Sequence, residues 1–290
     1  MNLFQILDDI QTADPEFKDR ISPRRAAIKN ITSFGSKVAA AAAPFAFTTL
    51  FKKAYGQTAT RSVTDVLNFA LTLEYLESYF YNQGLAQANL IPSADKTSYF
   101  NTIAAHENQH VAFLKGVLSS AAIPSPAFDL TAKGTFPDVL TNYNTFLNVS
   151  LAFEDTGVRA YKGQAGFLLG NQVALTAALQ IHSVEGRHAS AIRYLIKQKG
   201  INIKPWISGT AANGNDTGVA AANANYGPGS PAASFPSESN TVQAGVDLTT
   251  LPGYTNLTQT STTKFSVAVE AYDEPLDTAT VLAVVGPFIK

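Results

Sequence analysis

Four long stretches of the chain place apolar residues three and four positions apart, which is the spacing of a helix with one buried face. The pattern predicts helices over residues 62–83, 97–121, 138–169 and 172–198. Gly84 and Gly200 stand where the first and fourth helices should end, and Gly170-Asn171 provides a compact turn between the third and fourth. A longer link rich in Pro separates the second helix from the third. This order predicts an all-α four-helix bundle made of two helical hairpins.

The chain changes character after the fourth helix. Residues 208–240 are rich in Gly, Ala, Asn, Ser and Pro and have no periodic pattern, so we expect an irregular tail there. Three runs favour β-structure and predict a few short strands packed against the helices: 241–246, 264–269 and 281–285. We therefore divide the chain into an N-terminal segment, a bundle and a tail, over residues 1–56, 62–200 and 201–290.

The N-terminal segment has two interpretations. An arginine pair, a lysine and an apolar stretch follow one another as in a twin-arginine export signal: Arg24-Arg25, Lys29 and residues 38–51. Ala54 and Gly56 then supply small residues where a signal peptidase would read them. This interpretation predicts a periplasmic or extracellular protein whose mature chain has no integral membrane span. The alternative is a retained helical arm, in a cytoplasmic protein, that packs on the bundle or on a neighbouring subunit.

The composition of the chain limits the partners and the kinds of functional site that it can have. The formal net charge is −1, so nothing favours nucleic acid as a partner. The chain has no cysteine, and any metal site must therefore use oxygen and imidazole ligands. Its four histidines all lie in or beside two Glu-x-x-His segments: His106, His110, His182 and His188. The sequence contains none of the usual motifs for nucleophilic hydrolysis or nucleotide binding.

One pattern of glutamates and histidines occurs twice. In each copy a lone glutamate in an apolar run precedes a Glu-x-x-His segment, by 33 positions in the first copy and 31 in the second. The members are Glu74, Glu107 and His110, followed by Glu154, Glu185 and His188. Spread over four helices, this is the ligand set with which di-metal carboxylate bundles hold two ions.

The residue types at this spacing suit a pair of divalent ions. Residues three apart share one face of a helix, so the glutamate and histidine of each Glu-x-x-His segment can reach the same ion. Carboxylate oxygen with imidazole nitrogen suits iron, manganese or zinc, and we expect two ions, iron first, with manganese or zinc as alternatives. Four carboxylates inside a bundle would be costly without cations. The competing interpretation is that these residues are surface charges without a metal.

Two tyrosines occupy matching positions in the two copies. Tyr81 lies seven residues after Glu74, and Tyr161 lies seven residues after Glu154. Seven residues are two helical turns, so each tyrosine lies on the face of its own glutamate. One interpretation is hydrogen bonding or one-electron redox chemistry beside the metals. The other, which we favour at this point, is a pair of ordinary core tyrosines.

Three further residues are candidate partners of the ligands. His182 lies three positions before Glu185, and we read it as an extra ligand, an outer hydrogen-bond donor or, as we prefer, a satisfied interior histidine. Asp155 and Arg187 directly follow or precede a ligand in the chain and are candidate hydrogen-bond partners of the imidazoles and carboxylates.

Two residues are set aside as ligands. Glu77 lies one turn after Glu74 and competes with it, but Gly157 occupies the equivalent position in the second copy, which favours Glu74. His106 directly precedes a ligand and should point about 100° away around the helix, so we do not expect it to bind the metals.

Residues 62–199 resemble the ferritin-like domain of bacterial proteins related to desiccation-associated proteins. The similarity lies in four helix segments: LEYLESYFY, HENQHVAFL, FEDTGVRAYKG and HSVEGRHASAIR. The segment ISPRRAAIK and the final AYDEPLDTATVLAVVGPFI are similar to members with a twin-arginine leader. The resemblance implies a ferritin-like bundle with the six residues as di-metal ligands. It does not imply a defined reaction.

Two functions of different kinds follow from these expectations. The first is a redox-active di-metal protein that oxidises iron(II) with oxygen or peroxide, or consumes peroxide, in protection against oxidative stress. The second is a structural or interaction protein of the cell envelope, in which the metals only stabilise the bundle. Iron storage in a closed cage is less favoured, because the tail 201–290 and an N-terminal arm would obstruct compact packing. A homo-oligomer is compatible with each of these functions.

Overall fold

The computed structural model describes residues 61–208, 215–258 and 261–290, and the predicted export signal or arm lies outside these residues. Within them the predicted four-helix bundle is confirmed. Its long helices are α1 (Val63–Ala86), α2 (Asn101–Leu118), α3 (Tyr143–Ala165) and α4 (Gln172–Gln198). Helix α1 packs along α2, and α3 packs along α4, as two hairpins. In the described part of the chain, none of the helices has the length and apolarity to cross a bilayer.

Helix α1 begins where the sequence predicts and runs further than predicted. Ser62 caps it, because its hydroxyl accepts from the N–H of Asp65 at 3.1 Å. The expectation that Gly84 ends the helix is wrong, since α1 continues to Ala86. Gly84 is instead a point of close contact with α3. A Cβ atom at this position would lie 2.3 Å from the ring of Phe146.

Helix α2 has an irregular start that its apolar periodicity does not reveal. A short helical turn (Ser93–Asp95) and a π-helical turn (Lys96–Phe100) precede it, and a 3-10 turn (Ser119–Ala121) follows it. The long link to α3 then runs beside the end of the chain, where Phe128 forms an isolated antiparallel bridge with Ile289. The link between the two hairpins is therefore tied to residues 288–290 by backbone pairing.

Asparagine caps set the start of both helices in the second hairpin. The side chain of Asn142 accepts backbone hydrogen bonds from the first turn of α3, so this helix begins later than the predicted Asp138. Helix α4 spans the predicted residues and starts after the cap Asn171. It is followed by Gly200, whose φ of +86° is the left-handed conformation that commonly terminates a helix.

The tail consists of short helices and one small sheet. Its elements are α5 (Asn223–Tyr226), β1 (Val242–Gln243), β2 (Val246–Asp247), α6 (Pro252–Thr255), α7 (Ser261–Val269) and α8 (Thr278–Val285). Strands β1 and β2 pair antiparallel, which confirms a short sheet at the first predicted run. The predicted strands at 264–269 and 281–285 are wrong, because both runs lie in helices.

Packing and capping override the β-branched composition of these two runs. In α7, the adjacent residues Ala268 and Val269 are both buried. In a strand with one solvated face, one of two adjacent side chains would point to solvent. In α8, the carboxylate of Asp277 accepts two backbone hydrogen bonds from the first turn. Val281 and Val285, four residues apart, then bury the same side of that helix.

A fully buried arginine fastens the tail to α3. The guanidinium of Arg159 donates to the carbonyl oxygens of Glu274 at 2.9 Å and of Gly227 and Pro236 at 3.0 Å each. It also lies 2.8 Å from the carboxylate of Glu238. Tail residues enter the main apolar core of the bundle as well. The described parts of the tail are therefore built into the bundle.

Candidate metal centre

Each long helix directs acidic or imidazole side chains into the bundle interior. Glu74 lies on α1 and Glu154 on α3, while the two Glu-x-x-His segments lie on α2 and α4. The four glutamates are 0% exposed, and both histidines of these segments are buried. Charged residues this deeply buried need partners. The packing of the four helices thus brings together all six residues that the sequence singles out.

The six side chains form two overlapping groups. One group contains Glu74, Glu107, His110 and Glu185, and the other contains Glu107, Glu154, Glu185 and His188. In each group the ligand atoms lie within 4.8 Å of one another. Carboxylate oxygens with one imidazole nitrogen suit a divalent ion, so two such groups can hold two ions. Glu107 and Glu185 belong to both groups and stand between them.

The carboxylate of Glu107 faces both imidazoles. Its Oε2 atom lies 3.0 Å from Nδ1 of His110, and its Oε1 atom lies 2.8 Å from Nδ1 of His188. The Oε2 atom of Glu74 approaches His110 Nδ1 at 3.1 Å, and Oε2 of Glu154 approaches His188 Nδ1 at 3.3 Å. Both histidines therefore present the same ring nitrogen to the carboxylates.

Several buried ligand atoms lack a hydrogen-bond partner. They are Oε1 of Glu107, Oε2 of Glu154, both carboxylate oxygens of Glu185 and Nδ1 of His188. The contact between Glu107 and His188 is thus an electrostatic approach without hydrogen-bond geometry. Buried polar atoms left unpaired are costly, and coordination to a cation would satisfy them. The donor set therefore fits two divalent ions bound through oxygen and nitrogen.

Comparison with known protein families agrees with this geometry. Residues 62–198 match the family model described as a ferritin-like domain. These residues form a ferritin-like domain. The matched segment runs from the cap of α1 to the end of α4 and includes all six candidate ligands. No curated protein matches the chain.

Two tyrosines link the halves of the ferritin-like domain. Tyr161 on α3 donates its hydroxyl to Oε1 of Glu74 on α1, and Tyr81 on α1 donates to Oε1 of Glu154 on α3. Each bond occupies one carboxylate oxygen and leaves Oε2 directed at a histidine. An ordinary core role does not account for these bonds. Spacing places each tyrosine on its own glutamate's face, yet its partner is the glutamate of the other half.

Burial and nearby charges shift the pKa values of the cluster in opposite directions. Burial raises the pKa of Glu74 to about 7, against the hydrogen bond from His110. Burial raises the pKa of Glu185 well above its usual range, and repulsion from Glu107 adds to the effect. Burial also acts to raise the pKa of Glu107, but its contacts with His110 and His188 lower it to about 2. Without a cation the cluster therefore retains protons that offset part of its negative charge.

Metal binding is expected to release protons. Burial acts to lower the pKa of His110, but hydrogen bonds to Glu107 and Glu74 raise it to about 10. Burial also acts to lower the pKa of His188, but the carboxylates of Glu154 and Glu107 raise it to about 9. Both imidazoles are then protonated at pH 7 and must lose a proton before Nδ1 can bind an ion. Zinc(II) binding at pH 7 should therefore release about two protons from these rings, with more from the acids.

Calorimetry in two buffers of different ionisation enthalpy measures this release. His110→Gln should reduce it by about one proton, whereas His182→Gln should leave it unchanged. The affinity should rise with pH until both rings are neutral, near pH 9–10. Zinc binding with no proton release would show that the imidazoles are not ligands.

His106 contacts a candidate ligand although it is not one itself. Its Nδ1 atom lies 2.9 Å from Nε2 of His188, and the two rings stack with centroids 5.2 Å apart. A metal-binding imidazole commonly gives its second ring nitrogen to an outer partner that fixes its orientation. His106 occupies that position. The step of about 100° per residue on α2 shows that His106 and Glu107 cannot both point at the metals. It does not show that His106 contacts a residue of α4.

Glu77 is a fifth buried glutamate beside the site. It is 3% exposed and belongs to neither group of ligand atoms. It lines a small cavity together with Gly157, its counterpart in the second half of the repeat. Burial and the negative charge of Glu74 raise the pKa of Glu77 well above its usual range, which favours the neutral acid.

Three candidate partners lie away from the ligands. Asp155 is buried, but it binds Arg193 at 2.7 Å and Tyr226 at 2.6 Å, where the tail meets the bundle. It follows Glu154 by one residue, and this step turns it about 100° away from the site. Arg187 is exposed for the same reason. His182 is half-buried, interacts with the backbone of α3 and is in neither ligand group.

Proposed function

We propose that this protein is a di-metal oxidoreductase that oxidises iron(II) with oxygen or peroxide, or consumes peroxide. One observation carries the proposal: six buried residues on four helices form two groups of ligand atoms that share Glu107 and Glu185. Two iron or manganese ions bound there would supply the redox chemistry. Two adjacent ions can together exchange electrons with oxygen or peroxide more readily than a single ion can. An oxygen-rich donor set with imidazole and no sulfur suits both metals.

The chain's own residues prepare the site for two cations. The four carboxylates of the two ligand groups match the four positive charges of two divalent ions. Tyr81 and Tyr161 each hold one oxygen of a glutamate, so that the other oxygen is directed inward. His106 holds the outer nitrogen of the His188 ring. Such outer contacts orient ligands and tune the metals that they bind.

Stopped-flow absorbance tests this function. Metal-free protein is loaded with iron(II) under anaerobic conditions and mixed with oxygen or with hydrogen peroxide. We expect rapid iron oxidation and repeated turnover with at least one oxidant. Glu185→Ala should lose both, and the exposed control Arg187→Gln should keep both. Absence of turnover, together with strong thermal stabilisation by zinc(II), would instead favour a metal-stabilised structural protein of the cell envelope.

We further propose that the protein acts outside the cytoplasm in stress protection. The twin-arginine order at residues 22–29 and the resemblance to desiccation-associated proteins support this proposal. If residues 1–56 are an export signal, protein purified from its native host should lack them. Mass spectrometry of the intact protein decides the question, and a retained N-terminus would favour the cytoplasmic arm.

A further inference from the structure

Gly157 lies at the metal centre although it has no side chain. It follows Glu154 by three residues, so the two positions share one face of α3. Both residues are buried, and Glu154 directs its carboxylate into the ligand groups. Apart from proline, glycine is the residue that is least favourable in the middle of a helix. A glycine at this place therefore needs a physical reason.

The carboxylate of Glu185 on α4 supplies that reason. A Cβ atom at position 157 would lie 3.2 Å from its Oε2 atom, 3.4 Å from its Cγ atom and 3.5 Å from its Cδ atom. The first distance is tighter than ordinary packing, so the carboxylate would have to move by a few tenths of an ångström. The missing side chain of Gly157 thus leaves the space that this carboxylate uses.

Glu185 depends on packing for its position more than the other three glutamates of the site do. Tyrosine hydroxyls hold Glu74 and Glu154, and an imidazole nitrogen lies at hydrogen-bond distance from Glu107. Both oxygens of Glu185, in contrast, are buried without a hydrogen-bond partner. The neighbouring atoms, and the space at Gly157 among them, are therefore what fixes this carboxylate before a cation binds.

We propose that Gly157 is a positioning residue of the metal centre, because its missing side chain lets the Glu185 carboxylate face both ions. Glu185 belongs to both ligand groups, so its displacement would disturb each ion. Ligands of such sites must be held within about 0.5 Å of the productive geometry. The movement that a Cβ atom would force is of this order. The inference rests on the di-metal function proposed above and deepens it, but it requires no turnover.

Calorimetry with zinc(II) on two glycine variants tests this role. Gly157→Ala should weaken zinc binding about tenfold, the lower end of the cost of changing an outer contact of a metal ligand. Gly186→Ala is the matched control and should leave the affinity unchanged. Gly186 also lies inside a helix and directly follows Glu185, but a Cβ atom there would meet no described residue within 4 Å beyond its own turn of α4. Unchanged affinity in Gly157→Ala would overturn the proposal.

Urea denaturation of the metal-free variants separates this effect from damage to the fold. Alanine is the most favourable residue in a helix, so Gly186→Ala should raise the urea midpoint. In Gly157→Ala the same gain should offset the tighter contact, and the midpoint should not fall below that of the unchanged protein. Weaker zinc binding in a chain of undiminished stability would support a role at the site.

A second pair of variants distinguishes the positioning of Glu185 from a general packing role. Glu185→Ala lacks the carboxylate, and its five remaining ligands should bind zinc more weakly, so the measurement uses a higher zinc concentration. Adding Gly157→Ala to this variant should not weaken binding further, because the contact that couples the two positions is already gone. The same tenfold loss in both backgrounds would assign Gly157 a packing role alone and overturn the proposal.

Crystals of metal-free Gly157→Ala decide the matter if Glu185→Ala binds no zinc. A displaced Glu185 carboxylate would support the proposal, and a carboxylate in its original place would overturn it.

The outcomes also separate this inference from the proposed function. If the unchanged protein binds zinc but does not turn over with iron and either oxidant, the redox function fails and calorimetry still measures the role of Gly157. If it turns over and Gly157→Ala binds zinc as the unchanged protein does, only the role of Gly157 fails. If the unchanged protein binds no zinc, iron or manganese, both fail.

Discussion

Glu107→Ala should leave the chain unable to hold two metal ions. The two oxygens of Glu107 face His110 at 3.0 Å and His188 at 2.8 Å, and the residue belongs to both ligand groups. Its removal therefore takes a ligand from each ion. Loss of an outer partner of a metal ligand already costs about 10–100-fold in affinity, so loss of a shared ligand should cost at least about 100-fold. Equilibrium dialysis with zinc(II), followed by elemental analysis, measures the number of ions bound.

Glu77→Ala is the matched control for this experiment. Glu77 is also a buried glutamate of the bundle interior, one turn from Glu74, but it lies in neither ligand group. This variant should still bind two ions. If Glu107→Ala bound two ions with the affinity of the unchanged protein, the cluster would not be the metal site.

Arg159→Met should lower the free energy of unfolding by about 3–5 kcal/mol, because it removes one member of a buried, charged hydrogen-bond network. Arg159 is 0% exposed and donates to carbonyl oxygens from three separate parts of the tail, near residues 227, 236 and 274. Without the guanidinium these carbonyls would remain buried and unpaired. Urea denaturation of the metal-free protein measures the loss.

Two further variants show where this stability arises. Burial raises the pKa of Glu238 to about 8 despite the attraction of Arg159, so the cost of burying its charge offsets much of what this ion pair contributes to stability. Glu238→Gln should therefore cost less than Arg159→Met. The exposed Arg187→Met should stay within about 0.5 kcal/mol of the unchanged protein. A loss below about 1 kcal/mol for Arg159→Met would show that this residue does not hold the tail in place.

The bundle is predictable from the sequence because its signals are local. Apolar residues at helical spacing identify four helices, and the three-residue step of each Glu-x-x-His segment places its two side chains on one face. The repeated order also ranks Glu74 above Glu77. Only Glu74 lies within the ligand groups, although both residues are buried in the same helix.

The outer contacts of the site are not predictable in this way, because they join distant parts of the chain. His106 and His188 are 82 positions apart, and Tyr161 is 87 positions from Glu74. Spacing reports only which face of its own helix a residue occupies. Which face of another helix it meets depends on how the two hairpins pack.

In parts of the tail, even the type of secondary structure cannot be predicted from local sequence. The run 281–285 is rich in β-branched and apolar residues, but the cap at Asp277 and the burial of Val281 and Val285 make it a helix. The role of Arg159 is equally hidden, since its partner Glu274 lies 115 positions away. Tertiary contacts decide both outcomes.

Anomalous diffraction from metal-loaded crystals tests the central claim most directly. We expect two peaks, about 3.5–4 Å apart, which is the spacing common in two-metal sites. Each should lie about 2.0–2.2 Å from its ligand atoms. One ion should be bound by Glu74 and His110 and the other by Glu154 and His188, with Glu107 and Glu185 between them. A single ion, or ions held only by other residues, would contradict a di-metal centre built from these six side chains.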